Sequence, residues 1–241
     1  SKEWFKMENV IVFGAGLSGL GAKELLEKKG FNVFLVDDKT GISSNDGIKI
    51  INEKKIEFII KSPGIPWEVE LLQAAKENKI KVMSEIDLAY RYLDKKIKII
   101  SITGTNGKTT TATKMYELLI KAGCKSALAG NAGFSFAKLV ADEKDLEYVV
   151  LELSSYQLEN NPEVHSYIAG IINLTPDHLT RYESLEDYFI TKFNICDHQT
   201  SEDYALINTD DKEIMRIVSQ MGEEIKAHKT LLSTHKNAET V

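Results

Sequence analysis

Short apolar runs alternate with stretches whose apolar positions recur every three to four residues, and this alternation holds over most of the 241-residue chain. Val10–Phe13, Val33–Val36 and Phe58–Ile60 read as buried strands, with an amphipathic helix over Leu17–Lys29 between the first two. A helix over Trp67–Asn78 and a strand near Val82 lead into a helix over Ile86–Leu93. Strands that alternate with helices need crossover connections, which give an α/β fold with a parallel sheet. Asp94-Lys95-Lys96 reads as a solvated break, after which the pattern restarts: Ile99–Ile102, a helix over 108–121, Ser126–Leu128, Tyr148–Leu153, Tyr167–Leu174, a helix over 184–197, Tyr204–Ile207 and a helix over 210–221. The reading is two α/β units, 1–94 and 95–241. From Lys226 the chain reads as a polar tail with no final strand, so the second sheet is expected to be incomplete.

Composition narrows the class. Apolar residues at 43% and charged residues at 27% belong to a globular protein with real cores rather than to a disordered one. The net charge of -6, with lysines dispersed among acids, argues against nucleic acid as a partner. Cys124 and Cys196 are too few for a disulfide scaffold and read as reduced thiols. No apolar run approaches the roughly 20 residues of a membrane helix, and Ser1–Asn9 has no apolar core of an export signal, so the expectation is a cytoplasmic protein without a membrane partner.

The chemistry begins at Ser101–Thr111, SITGTNGKTTT, between an apolar strand and a helical pattern. Glycines there let backbone N–H groups approach phosphate oxygens at the positive end of a helix, with Lys108 reaching the terminal phosphates and Thr109 a magnesium ion. The loop is a shortened variant, since the position of the first glycine in the longer P-loop pattern is Ile102. The plainer readings are a glycine turn with a chance lysine, or a plain P-loop NTPase switch. In the first unit Gly14-Ala15-Gly16-Leu17-Ser18-Gly19 follows a strand and opens a helix, and Asp37 closes the next strand. The pattern is Rossmann-like and admits a dinucleotide-dependent oxidoreductase, any diphosphate-linked nucleotide, or glycines that serve only close packing. Ser62-Pro63-Gly64 ends a strand at the same edge and reads as part of that pocket or as a turn.

Four further residues stand in or beside apolar patterns. Glu152 interrupts the strand Tyr148–Leu153 near its C-terminal end, where a carboxylate needs a metal or hydrogen-bond donors. Asp177 and His178 follow the strand ending near Leu174, at the rim where α/β sheets bind ligands. Lys192 shares a helix face with Leu185, Tyr188, Phe189, Ile195 and Cys196. Its stem either snorkels to water or buries an amine whose lowered pKa permits carbamylation.

LELSSYQLE (151–159), TGTNGKTT (103–110), GNAG (130–133), NLTPDHLTRY (173–182) and the helix of Lys192 together resemble the Mur ligase family, ATP-dependent amide ligases of the peptidoglycan stem peptide. The likeness is strongest to members that join D-glutamate to UDP-N-acetylmuramoyl-L-alanine. It implies uridine diphosphate on Leu17, Ser18, Asp37, Ser62, Pro63 and Gly64, and a P-loop ATPase-type second domain with ATP on Gly104, Thr105, Asn106, Gly107, Lys108, Thr109 and Thr110. It further implies two Mg2+ ions on Thr109, Glu152, His178 and a carbamylated Lys192, with Lys108, His178 and Lys192 catalytic. Asn131, Ser154 and Gln157 would face the muramoyl-alanine moiety. Asp38 and Lys39 stand where polar contacts to uracil or ribose are expected, and depart from the family pattern. The resemblance covers roughly the first half of such an enzyme, so the expectation is a monomeric fragment that binds the nucleotide sugar without turnover, whether as a piece of the ligase or as a non-catalytic binding protein.

Overall fold

The computed structural model of the protein describes residues 7–131, 133–177 and 180–235. The chain divides into two compact units: one runs to Leu93 and takes in Gly133–Lys144, and the other holds the rest. In the first, strands β1 (Asn9–Phe13), β2 (Asn32–Val36), β3 (Ile56–Lys61) and β4 (Lys81–Ser84) alternate with helices α1 (Leu17–Lys28), α2 (Ser44–Glu53), α3 (Glu70–Glu77) and α4 (Glu85–Tyr92). The strands form one parallel sheet in the order β2-β1-β3-β4. Val10, Ile11, Val12 and Phe13 are all buried, as an unbroken apolar run requires of a parallel strand covered on both faces. Ile11, Val36, Ile51, Ile59 and Leu71 share one core cluster.

Helix α1 sits close on the strand it follows, because a Cβ at Gly19 would lie 1.8 Å from the Gly14 carbonyl oxygen. Helix α2 is not visible in the apolar pattern, since its sequence SNDGIKIINE combines Gly and Asn with few strong helix formers. Side-chain bonds hold its start: Ser43 accepts from Asp46 N, and the Asp38 carboxylate accepts from Ser44 N at 2.7 Å and Ser44 Oγ at 2.8 Å. Helix α3 begins at Glu70 rather than at Trp67, whose ring packs on the core and beneath the Lys61 ammonium.

The second unit contains β5 (Lys98–Thr103), α5 (Lys108–Lys121) and β6 (Ser126–Gly130), then, after the short helix α6 (Phe136–Ala141), β7 (Tyr148–Glu152), α7 (Ser155–Leu158), β8 (Ile168–Ile171), α8 (Leu185–Phe193), β9 (Tyr204–Asn208), α9 (Lys212–Met221) and β10 (His228–Leu232). Its six strands are parallel in the order β10-β9-β8-β5-β7-β6. From β5 the chain runs to β6 on one side, and from β8 to β9 on the other. Right-handed crossovers send these connections to opposite faces, which opens a crevice at the carboxyl ends of β5 and β8.

The polar tail is a correction: His228–Leu232 is a strand, paired in register with all five residues of β9. Its charged and β-branched residues suit an edge strand, which needs only one partner, and no apolar run announces it. Helix α6 is the excursion that returns to the first unit. Its N-terminal turn is gripped by Glu85, whose buried carboxylate accepts from Ser135 Oγ and from Ala137 N, each at 2.6 Å. Lys28 Nζ holds its end through the Ala141 carbonyl at 2.9 Å. A single boundary after Asp94 does not include this return. Among the described residues, no helix is long and apolar enough to cross a membrane.

Candidate functional site

Residues 104–107 connect β5 to α5 as a tight loop, with Gly107 as the helix N-cap in the left-handed region. Gly104 has φ 154°, and a Cβ there would meet Ile172 Cγ1 at 2.4 Å, so only glycine lets β5 turn this close to the end of β8. The first helical N–H groups of α5 have no partner within the helix and point toward the loop.

Glu152 is the last residue of β7 and 1% exposed. Thr109 Oγ1, in the first turn of α5, donates to both its carboxylate oxygens, at 3.1 and 3.0 Å. Asn131 Nδ2 donates to Oε1 at 3.2 Å, and Asn131 N to the Glu152 carbonyl at 2.8 Å. Adjacent strand ends thus bring Thr109, Glu152 and Asn131 together. All three donors are neutral.

Lys192 overturns the snorkelling reading. It is 1% exposed, and Nζ donates to the Gly104 carbonyl at 2.9 Å with the Tyr188 ring centroid 4.7 Å away. Burial first, and then the charge of Lys108, push its pKa down to about 7 against the opposing pull of Asp177. Lys108 Nζ donates to the next carbonyl, Thr105 O, at 3.0 Å. Two lysines therefore rest on consecutive carbonyls of the loop. Helix α8 is shorter than the apolar stripe implies, and Asn194–Cys196 forms a 3-10 turn.

Strand β8 stops at Ile171, short of Leu174, because the backbone beyond it turns to other partners. The Asn173 carbonyl accepts from Thr105 N at 3.1 Å, and Leu174 N donates to Asp211 Oδ2 at 2.8 Å. Asn173 opens the NLTPDHLTRY motif, but no role of its own was legible there. Its Oδ1 accepts from Thr105 N at 3.0 Å and Asn106 N at 2.8 Å, and its Nδ2 donates to Asn106 O at 2.8 Å. The only signal was an amide side chain directly after an apolar strand. His178 lies outside the described residues.

Ser154 and Gln157 bond to each other in a capping box at the start of α7, with Gln157 Oε1 accepting from Ser154 N at 2.9 Å and Gln157 N donating to Ser154 Oγ at 3.3 Å. Beyond α7, Arg181 makes an ion pair with Glu159 at 2.7 Å and stacks 4.0 Å over the Tyr156 ring.

In the first unit, Gly14–Gly16, Asp37 and Ser62 emerge from the ends of the neighbouring strands β1, β2 and β3. A Cβ at Gly14 would lie 2.3 Å from Ser62 Oγ, so the two turns are in contact. Asp37 Oδ2 accepts from Ala15 N at 3.0 Å, and Oδ1 accepts from Lys39 N, Thr40 N and Thr40 Oγ1. These donors, Ala15 N foremost, hold the carboxyl below its ordinary pKa. Three of these four donors meet on Oδ1 and the fourth on Oδ2, so the Asp37 carboxylate is largely taken up by its own turn, which leaves less for a ribose than the dinucleotide reading requires. Leu17 is exposed at the start of α1, and the Lys61 ammonium supports the Ser62-Pro63-Gly64 turn through Ser62 O at 3.0 Å and Ile65 O at 2.7 Å.

Comparison with known proteins gives the family. Residues 102–241, more than half of the chain, match the model of the Mur ligase middle domain. The chain is 43% identical over 236 residues to the UDP-N-acetylmuramoylalanine--D-glutamate ligase of Fusobacterium nucleatum subsp. nucleatum, covering 97% of this chain and 53% of that protein. It therefore spans about half the length of the curated relatives it matches. Among solved structures, UDP-N-acetylmuramate:L-alanyl-gamma-D-glutamyl-meso-diaminopimelate ligase from Neisseria meningitides superposes with a TM-score of 0.62 at 16% identity, covering 93% of this chain and 78% of that one. The MurF ligase from Thermotoga maritima in complex with ADP gives 0.52 at 19% identity, covering 79% and 44%. At such identities the structures speak to the fold alone; the middle-domain match over residues 102–241, which takes in the GTNGKTT loop, shows that the chain belongs to the Mur ligase family.

Proposed function

We propose that the protein supplies the nucleotide-sugar and ATP-binding portion of a ligase that adds D-glutamate to UDP-N-acetylmuramoyl-L-alanine. The observation that carries the reading is the buried Glu152 carboxylate, held by Thr109 and Asn131 beside the phosphate loop of a chain 43% identical to a D-glutamate ligase. In the first step the alanine carboxylate attacks the γ-phosphorus of ATP in line. The bond to the ADP oxygen breaks and an acyl phosphate forms. The D-glutamate amine then attacks the acyl carbon, phosphate leaves with the C–O electron pair, and the amine gives up a proton.

This chain's residues serve the first step in particular. The N–H groups of Gly107, Lys108, Thr109 and Thr110 face the phosphates at the α5 terminus. Lys108 exchanges the Thr105 carbonyl for phosphoryl oxygens, which places its charge where two anions must meet. Hard oxygen donors around a carboxylate whose partners here are neutral fit Mg2+, and Thr109 and Glu152 would hold it, joined by His178 and by Lys192 as its carbamate. Bound there, magnesium neutralises charge on the transferring phosphoryl group. Lys192, with a pKa near 7, presents enough neutral amine to capture carbon dioxide at physiological pH. In the first unit the Gly14–Gly16 turn and Ser62-Pro63-Gly64 bind the uridine diphosphate.

Phosphate release by the intact protein tests the reading: it requires UDP-N-acetylmuramoyl-L-alanine and D-glutamate together, and hydrolysis indifferent to both would overturn it. The 241-residue chain alone is expected to bind the UDP substrate in calorimetry and to release no phosphate.

A further inference from the structure

We propose that Asn173 is a positioning residue for the phosphate site, resting on the nucleotide-binding reading of this loop. Three consecutive peptides, from Gly104 to Gly107, are fixed at their polar atoms. The Gly104–Thr105 peptide is held at both ends, its carbonyl by Lys192 Nζ at 2.9 Å and its N–H by Asn173 Oδ1 at 3.0 Å. The Thr105–Asn106 peptide is held by Lys108 Nζ at its carbonyl and again by Asn173 Oδ1 at its N–H, at 2.8 Å. The Asn106 carbonyl accepts from Asn173 Nδ2 at 2.8 Å. One side-chain amide thus makes three bonds to the loop. Asparagine alone among small side chains offers an acceptor for two N–H groups and a donor for the carbonyl between them and the next residue.

These bonds change which groups remain for phosphate. The N–H groups of Thr105 and Asn106 are committed to Asn173, so anion binding falls to the N–H groups that open α5, Gly107 to Thr110. Ammonium groups can leave carbonyls when a phosphate arrives, as Lys108 must. Asn173 has no charge to draw it to the ligand and keeps its bonds through that exchange.

The fold explains the location. Asn173 follows β8 and the loop follows β5, and the helices after these strands diverge to opposite faces. The two segments are joined by backbone bonds, Ile172 N to Thr103 O at 3.0 Å and Thr105 N to Asn173 O at 3.1 Å, and the Asn173 side chain extends the link to Asn106. The brace is itself anchored: Leu174 N donates to Asp211, the N-cap of α9, and Asn208 Nδ2 donates to Ile172 O at 2.8 Å. Thr175 and Thr105 add a reciprocal pair, with Thr175 N donating to Thr105 Oγ1 and Thr105 Oγ1 to Thr175 O, each at 3.0 Å.

The test uses Asn173→Ala and Asn173→Asp in the intact protein, with hydrogen exchange of the 103–108 segment, the KM for MgATP and the affinity for UDP-N-acetylmuramoyl-L-alanine. Asn173→Ala is expected to speed exchange at Asn106, while Thr105 N–H keeps the backbone carbonyl of residue 173, and to raise the ATP KM about tenfold or more, the weight of roughly one hydrogen bond. Binding of the UDP substrate should stay within about twofold, because its uridine diphosphate is held by first-unit residues, and Asn131, Ser154 and Gln157 bond to Glu152 and to each other rather than to Asn173. Asn173→Asp keeps both acceptances but loses the donation to Asn106 O, so it should restore slow exchange at Asn106 while the ATP KM stays raised. The inference is overturned if Asn173→Ala leaves exchange and ATP KM unchanged, or if both substrates weaken equally. Should Asn173→Ala fail to fold, an unchanged ATP KM in Asn173→Asp overturns it. Wild-type protein that binds no ATP would instead refute the nucleotide site and, with it, this inference.

Discussion

Lys192 and Gly104 are 88 positions apart in the chain, yet the lysine ammonium donates to the glycine carbonyl at 2.9 Å inside the second unit. An ammonium so placed satisfies a carbonyl that the tight loop leaves without a helical partner. It also carries a proton that burial disfavours, with a pKa near 7.

The pH dependence follows from that pKa. Between about 7 and the ordinary 10.5, the unfolded chain holds the lysine proton while the folded chain has released it. Stability then rises with pH, by about 1.4 kcal/mol per unit for one proton. Below pH 7 both states are protonated and the folded state carries the burial penalty in full. In urea unfolding, Lys192→Met should therefore lose its advantage over wild type, or fall further behind, as pH is raised from 7 to 9. A stability difference that is flat across this window would contradict the buried-amine account.

Glu152→Gln separates charge from hydrogen bonding. The amide can still accept from Thr109, but it offers no negative charge to a divalent cation. MgATP affinity should fall about tenfold or more, with metal-free ADP binding nearly unchanged. Equal losses in both titrations would show that Glu152 supports the loop rather than the metal.

Glu85 should make the first unit respond to acid in the opposite sense to a surface carboxylate. Burial raises its pKa above 4.5, outweighing the donors Ala137 N and Ser135 Oγ. Above pH 4.5 the unfolded chain loses its proton first, so stability declines as pH rises through that window. Glu85→Gln should flatten the decline, as measured by unfolding midpoints between pH 5 and 7. If wild type and variant run parallel, the carboxyl does not titrate on folding.

The two thiols should differ in reactivity. Cys196 is 4% exposed, and burial pushes its pKa up to about 12, whereas Cys124 is partly exposed. A maleimide should label Cys124 in the folded protein and both residues in urea. Rapid native labelling of Cys196 would show that the α8 end opens.

The chain's local patterns were sufficient for the parallel α/β class, for the strands that are buried on both faces and for the glycine loop that follows β5, because each of these depends on neighbours in sequence. Val10–Phe13 needs only to be apolar, and the loop needs only its glycines. Glu152 was also legible, as an acid in an apolar strand. Tertiary structure decided what depends on distant partners. The edge strand His228–Leu232 exists because β9 offers its backbone, and α2 because Asp38 and Ser43 hold its first turn. The same holds for α6, which Glu85 draws away from the sheet that precedes and follows it in sequence. The residues alone favoured a wet Lys192, and its burial was decided only when α8 was placed against the loop. Asn173 stood at the head of a recognised motif but without a role, since its role comes from two strands that are adjacent in the sheet and 68 residues apart at the bond to Thr105. A side chain's hydrogen-bond partners are set by packing, and packing has no period along the chain.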